Sequence, residues 1–195
     1  IGSGLTKLGC GVFAGCTSLS SVDISSPYFT CVDGAIYSSD LTVLYQYLAG
    51  YPKNKYDMPD SIKEIKRYAF WGCNMLEEID FSTGLKSIDD YSVANCVSLR
   101  NAVIHTSTRS ISLGAFENDG ALRQVVTPVS LTSIHSMAFT NCPTDMIFVC
   151  EPSSYVESFA VSNGYLTSGS VQVSVQEREK INNQVSSNNI SDNGE

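Results

Sequence analysis

Apolar residues recur along the chain at a fixed set of offsets. Counting from an apolar residue taken as zero, further apolar residues follow 3, 8, 11, 14, 17 and 19 positions later. Leu5, Leu8, Phe13, Cys16, Leu19, Val22 and Ile24 fit this set. So do Ile62, Ile65, Phe70, Cys73, Leu76, Ile79 and Phe81, followed 23 residues later by Leu85, Ile88, Val93, Cys96, Leu99, Ala102 and Ile104. Thr108, Ile111, Phe116, Asp119, Leu122, Val125 and Thr127 repeat the set with three polar members. Leu131, Ile134, Phe139, Cys142, Asp145, Phe148 and Cys150 repeat it with one. A strict 23-residue spacing over four consecutive copies marks an internal repeat, the mark of a stacked solenoid.

The second half of each copy reads L-x-x-L-x-L, as in Leu19-x-x-Val22-x-Ile24 and Leu76-x-x-Ile79-x-Phe81. This is the leucine-rich-repeat pattern, whose period is 20–29 residues. The alternation at its end predicts a strand, and stacking places equivalent strands in one parallel sheet. The Ala-Phe-x-x-Cys segments (Ala69-Phe70, Ala115-Phe116, Ala138-Phe139) are expected to turn the chain and fill the interior. No single coil can bury its own apolar side, so each depends on its neighbours.

The register from Ile62-Lys-Glu-Ile65 through Ala69-Phe70-Trp-Gly-Cys73-Asn-Met-Leu76 resembles that of the BspA-like leucine-rich-repeat family. So do Val32-Asp33-Gly34-Ala35-Ile36-Tyr37-Ser38-Ser39-Asp40 and the closing passage from Ser153 to Gly164. The resemblance covers roughly residues 1–168. It implies a repeat solenoid coiled to the right, with a parallel β-sheet and short helical turns. It also implies a surface-exposed or secreted protein of host-associated bacteria or parasitic protists, with adhesion or host-protein binding as the family theme. Val93 in the Phe position, Asp119 in the Cys position and Asp145 in the Leu position depart from the pattern.

Between the first and second copies the spacing is 57 residues, which leaves an insertion within about 25–60. Ala35-Ile36-Tyr37 and Leu41 through Leu48 are β-rich runs separated by Ser-Ser-Asp, read as a hairpin projecting from the stack. Six of the ten tyrosines fall in this region. Tyr37, Tyr45, Tyr47 and Tyr51 either form a binding patch or cover the hairpin's own small core. Residues 153–162 predict a short capping helix stopped by Asn163-Gly164. The leucine-rich-repeat domain is thus expected over 1–168, with a polar tail or linker over 169–195. Within that tail Val171–Val175 could add a strand, and Asn189-Ile190-Ser191 matches a glycosylation acceptor too short to be informative.

Composition narrows the function classes. Twenty acidic against 12 basic residues give a formal charge of −8, which repels a phosphate backbone and argues against nucleic acid. No apolar run approaches the ~20 residues needed to span a bilayer. The chain opens inside a repeat, so a targeting segment is expected to lie outside it.

Candidate chemistry is sparse. Cys16, Cys73, Cys96 and Cys142 share one slot and are expected to form a column of free thiols in the core, with Cys150 in another core slot. Cys10 and Cys31 lie outside the template, and their pairing depends on the compartment. No C-x-x-C, H-E-x-x-H, G-x-S-x-G or phosphate-binding glycine motif occurs, so no metal, cofactor or catalytic residue is assigned. His105 and His135 lack motif partners, and Glu77-Glu78 and Asp89-Asp90 read as solvated charge.

The repeat itself offers a site. Residues flanking the middle apolar residue of each strand point outward, which predicts one column of Ser21, Glu78, Asn101, Gln124 and Ile147. A second column holds Asp23, Asp80, Val103, Val126 and Val149. These expectations favour an adhesion-type module binding a protein or glycan, ahead of a stalk presenting another domain and well ahead of a glycan-processing enzyme.

Overall fold

The structure is a computed structural model that describes residues 1–169. The expected strand at 171–175, the rest of the tail and Asn189 lie outside the described residues. In chain order the elements are β1 (Phe29–Val32), β2 (Ala35–Ser38), β3 (Val43–Tyr47), β4 (Lys55–Asp57), β5 (Glu64–Ile65) and β6 (Glu78–Asp80). Then follow β7 (Ser87–Ile88), β8 (Asn101–Val103), β9 (Ser110–Ile111), β10 (Gln124–Val126), β11 (Ser133–Ile134), β12 (Ile147–Val149), α1 (Tyr155–Ser162) and β13 (Leu166–Thr167).

The chain is a β-solenoid of leucine-rich-repeat type. The L-x-x-L-x-L runs of the last four copies supply β6, β8, β10 and β12 of a six-stranded sheet ordered β13-β12-β10-β8-β6-β4, whose edges come from the insertion and from the segment after α1. Glu78 aligns with Asn101, Asn101 with Gln124, and Gln124 with Ile147, so the 23-residue period is one turn of the coil. Around the coil from that sheet, β7, β9 and β11 form a smaller parallel sheet from the Ile-x-x-Ile halves.

The template residues of four copies form one continuous core. Ile65, Ile88 and Ile111 are buried, as are Leu76, Leu99 and Leu122 and the Phe70, Phe116 and Phe139 rings. Phe116 stacks on Phe139 at 5.1 Å. Val93, although smaller than Phe, is fully buried. At the last copy Asp145 is exposed and the neighbouring Met146 takes the core position. The two threonines in template positions are satisfied internally: Thr108 Oγ1 donates to the Leu85 carbonyl at 3.1 Å and Thr127 Oγ1 to that of Val149 at 3.2 Å.

The turn segments close with N–H to C=O bonds spanning three residues, such as Cys73 to Phe70 and Leu76 to Cys73, without forming a helix. Each reaches a left-handed backbone ten residues into its copy, where the chain places Gly15, Gly72, Asn95, Asn118 and Asn141. Glycine and asparagine tolerate that geometry. The asparagines also form a ladder, Asn118 Nδ2 donating to Asn95 Oδ1 at 3.1 Å and Asn141 Nδ2 to Asn118 Oδ1 at 2.7 Å.

The cysteine column has a regular role. Cys73, Cys96 and Cys142 each donate a thiol hydrogen bond to a carbonyl 26 residues earlier, on Tyr47, Phe70 and Phe116 at 3.7, 3.1 and 2.9 Å. All seven cysteines are free thiols. Cys16 departs from the expected buried column, because it is exposed.

The insertion does not project. Strands β1, β2 and β3 form an antiparallel meander whose first turn is Asp33-Gly34, and β3 then pairs in parallel with β5. Next, β4 pairs in parallel with β6, setting Tyr56 beside Ile79. Residues from β3 to β4 therefore supply one strand to a four-stranded sheet ordered β1-β2-β3-β5 and one to the main sheet, and act as an additional coil. The central strand β2 is buried on both faces, which is why Ala35-Ile36-Tyr37 is continuously apolar. Ala35, Tyr37, Leu44 and Tyr47 join the main core, whereas Phe29, Ile36 and Leu48 form a second core with Leu8, Phe13, Leu19, Val22 and Ile24 of the first copy.

At the other end, α1 caps the last coil. The Ser154 side chain accepts from the Glu157 N–H at 3.2 Å, and the Glu157 carboxylate accepts from the Ser153 N–H at 2.7 Å. Gly164, at φ 77°, ends the helix, and Tyr165 N–H returns to the Ala160 carbonyl. Val156 and Ala160 are buried against the coil, and Phe159 packs edge-on to Phe148.

Candidate interaction surface

Each three-residue strand of the main sheet buries its middle residue and leaves the two flanking it at least partly exposed. The first outward column runs Lys55, Glu78, Asn101, Gln124, Ile147 and Leu166, and the second Asp57, Asp80, Val103, Val126 and Val149. Ser21 and Asp23, expected to begin these columns, are exposed but lie in no strand. Lys55 and Asp57 of the inserted coil take their places.

The columns grade from charged to apolar along the stack. Lys55 forms an exposed ion pair with Asp57 at 3.2 Å, and this hydrogen bond holds the Lys55 ammonium above its ordinary range. Asn101 Nδ2 reaches Glu78 Oε1 at 3.5 Å. Asp80 meets His105 Nε2 at 2.6 Å. Beyond this charged end, Val103, Val126, Ile147 and Val149 are half-buried. Beside the sheet, Thr83 donates to Asp60 Oδ1 from both backbone and side chain, which lowers the Asp60 carboxyl from its usual range.

Of the four tyrosines of the hairpin, two are core residues and two are partly exposed. Tyr37 and Tyr47 are core residues, at 4% and 2% exposure. Tyr45 packs edge-on to Phe29 with Lys66 over its ring. Tyr51 lies against Gly34 and donates to Asp33 Oδ1 at 3.2 Å. Hydrophobic burial has used these rings to weld the insertion to the coil, leaving Tyr28 as its exposed tyrosine. Among the described residues no cluster of three or more His, Cys, Asp or Glu side chains is placed to hold a metal ion. No helix among them is long and apolar enough to cross a membrane.

The family signature decides what this solenoid is. The BspA type leucine rich repeat region matches residues 1–47 and 48–167 in six copies. The chain belongs to the BspA-type leucine-rich-repeat family. In this BspA-type chain the match runs through the first copy and the insertion as well as the four copies that supply β6, β8, β10 and β12.

Two solved structures share the fold. A leucine rich cell surface protein from Faecalibacterium prausnitzii aligns with a TM-score of 0.60 at 22% identity, covering 80% of this chain and 48% of the other. The pneumococcal vaccine antigen PcpA aligns with a TM-score of 0.52 at 14% identity, covering 74% of this chain and 48% of its own. The BspA-type chain thus spans about half the length of each. No relative is found among curated proteins.

Sequence reasoning passed over Lys55 and Asp57, because the inserted coil lacks the full template. It also passed over Tyr68, Trp71 and Tyr91, three adjoining rings in the turn segments. Comparing the residue six places into each copy finds two of them, since tyrosine stands there where two other copies have glycine.

Proposed function

We propose that this chain is an interaction module of a cell-surface or secreted protein, binding a protein or glycan partner through the outward columns of its main sheet. The observation that carries the reading is the aligned array of Glu78, Asp80, Asn101, Val103, Gln124 and Val126. Three adjacent strands of the six-stranded sheet, in register, hold these side chains on a rigid scaffold, so a partner can be met with little ordering cost. Charged groups at one end and half-buried valines at the other supply both orientation and apolar area. Family membership, and a fold shared with a protein described as a cell surface protein, support the location.

The test is adhesion of the purified chain to host epithelial cells, comparing the native sequence with the combined variant Glu78→Ala, Asn101→Ala and Gln124→Ala. All three side chains are at least partly exposed, so the variant should fold normally and lose at least tenfold in half-saturating concentration, about 1.4 kcal/mol. Unchanged adhesion would remove the columns from the binding site.

A further inference from the structure

Six residues into each copy, the chain reads Gly11, Tyr68, Tyr91, Gly114 and Met137. The first four lie in the left-handed region, at φ 65°, 65°, 52° and 58°. Glycine enters that region freely, whereas a bulky side chain there is strained. Strained residues of this kind concentrate at functional sites. The column thus holds glycine at two positions and strained tyrosine at the two between them.

The rings have a shared arrangement. Tyr68 and Tyr91 stack with centroids 5.7 Å apart, and Trp71, the only tryptophan in the chain, adjoins them at 5.3 and 6.3 Å. Each tyrosine lies on the backbone of the neighbouring glycine. A Cβ at Gly11 would sit 2.9 Å from Tyr68 Cβ, and one at Gly114 would sit 2.3 Å from Tyr91 Cε1. All three aromatic residues are half-buried, so part of the platform meets solvent.

Two charges border it. The Arg67 guanidinium carbon stands 4.9 Å from the Tyr68 ring centre and 5.1 Å from that of Tyr91. Glu117 Oε2 lies 2.9 Å from where a Gly114 Cβ would be, beside Tyr91. Among the described residues, neither the Arg67 guanidinium nor the Glu117 carboxylate has a hydrogen-bond or ion-pair partner, so donors and acceptors are both open there.

We propose that this platform, Tyr68, Trp71 and Tyr91 bordered by Arg67 and Glu117, is a binding site for a neutral carbohydrate. The tyrosine faces are taken up by each other and by Arg67, so the C–H face of a sugar ring rests on Trp71 beside the tyrosine edges, while its hydroxyls donate to Glu117 and accept from Arg67. An anionic ligand meets Glu117 and the chain's net charge of −8. A cationic one meets Arg67. A wholly apolar one buries both charges without partners. A neutral polyhydroxylated ring satisfies every group. The site shares no residue with the main-sheet columns and does not depend on their role.

The single tryptophan makes the test direct. The full chain is titrated with lactose, maltose, chitobiose and mannotriose, and with sialyllactose as the charged comparison, following Trp71 emission and heat of binding. At least one neutral sugar should give a saturable emission change. Tyr91→Gly and Tyr68→Gly place in those columns the residue their neighbours already use, so they should keep or raise the melting temperature while weakening that sugar at least tenfold. Glu117→Ala should weaken it similarly. The combined Glu78, Asn101 and Gln124 variant should bind it unchanged, which separates this site from the adhesive face. The proposal is overturned by the absence of an emission change with all four neutral sugars, by full affinity in Tyr91→Gly, or by tighter binding of sialyllactose than lactose.

Discussion

The phenol oxygens of Tyr37 and Tyr56 lie 2.7 Å apart, joining a strand of the inserted meander to the strand that begins the main sheet. Burial pushes both phenols above their ordinary range, so the bond joins neutral hydroxyls. Tyr56→Phe strands the Tyr37 hydroxyl in the core, and the expected cost is about 1–3 kcal/mol. Replacing both by Phe removes the unmatched group and should recover most of that loss. Urea unfolding of the two single variants and the double variant measures it. Additive losses would mean the pair is not coupled.

Asp119 occupies a cysteine position and is completely buried. Its Oδ1 accepts from the Cys96 N–H at 2.8 Å, while Oδ2 has no partner. Desolvation raises its carboxyl well above the usual range, ahead of the smaller contribution of the Cys96 thiol. The folded chain therefore holds a proton that the unfolded chain releases from about pH 4 upward. The resulting stability is fully present below that pH and is lost as pH rises toward the folded value. Asp119→Cys restores the thiol found in the other copies. It should raise stability at pH 7 by about 1–3 kcal/mol and flatten the difference between pH 4 and pH 7. Urea midpoints at both pH values for the two proteins decide the matter; parallel pH dependence would contradict it.

The thiols should separate by exposure. Cys10 and Cys16 are exposed, whereas Cys73 and Cys96 are buried. Burial raises the Cys31 and Cys150 thiols and pushes Cys142 up to about 12, which lowers their reactive thiolate fraction. Brief native-state iodoacetamide treatment, read by peptide mass spectrometry, should modify Cys10 and Cys16 first. Cys73 and Cys96 should react only on unfolding. Early modification of Cys96 would show that the column opens in the native state.

Most of the coil was legible because a 23-residue period, once found, dictates which side chains face inward. Ile65, Leu76 and Ile79 could be placed in the core from spacing alone. The cap was legible too, since Ser154 and Gly164 carry the signals that start and stop a helix. The inserted coil was not. Leu44 aligns with Ile65 across 21 residues while Tyr56 aligns with Ile79 across 23, and no Ala-Phe-x-x-Cys segment lies between them. With no template to follow, the insertion read as a projecting hairpin, and Ser21 and Asp23 were given the positions of Lys55 and Asp57. The aromatic platform escaped because helix, strand and core patterns carry no sign of backbone handedness. Tyr68 and Tyr91 stand out only beside Gly11 and Gly114.

The meander between the first copy and the others separates two cores that do not share template residues. On its far side, every junction from β6 to β12 repeats one register, and α1 closes whichever coil comes last. Whole 23-residue units can therefore be gained or lost there by recombination without a frame error in packing. Lengthening the chain within the meander would instead misalign Tyr37 from Tyr56 and Leu44 from Ile65. Duplication of whole units beyond the insertion thus keeps the packing frame that lengthening within it would break.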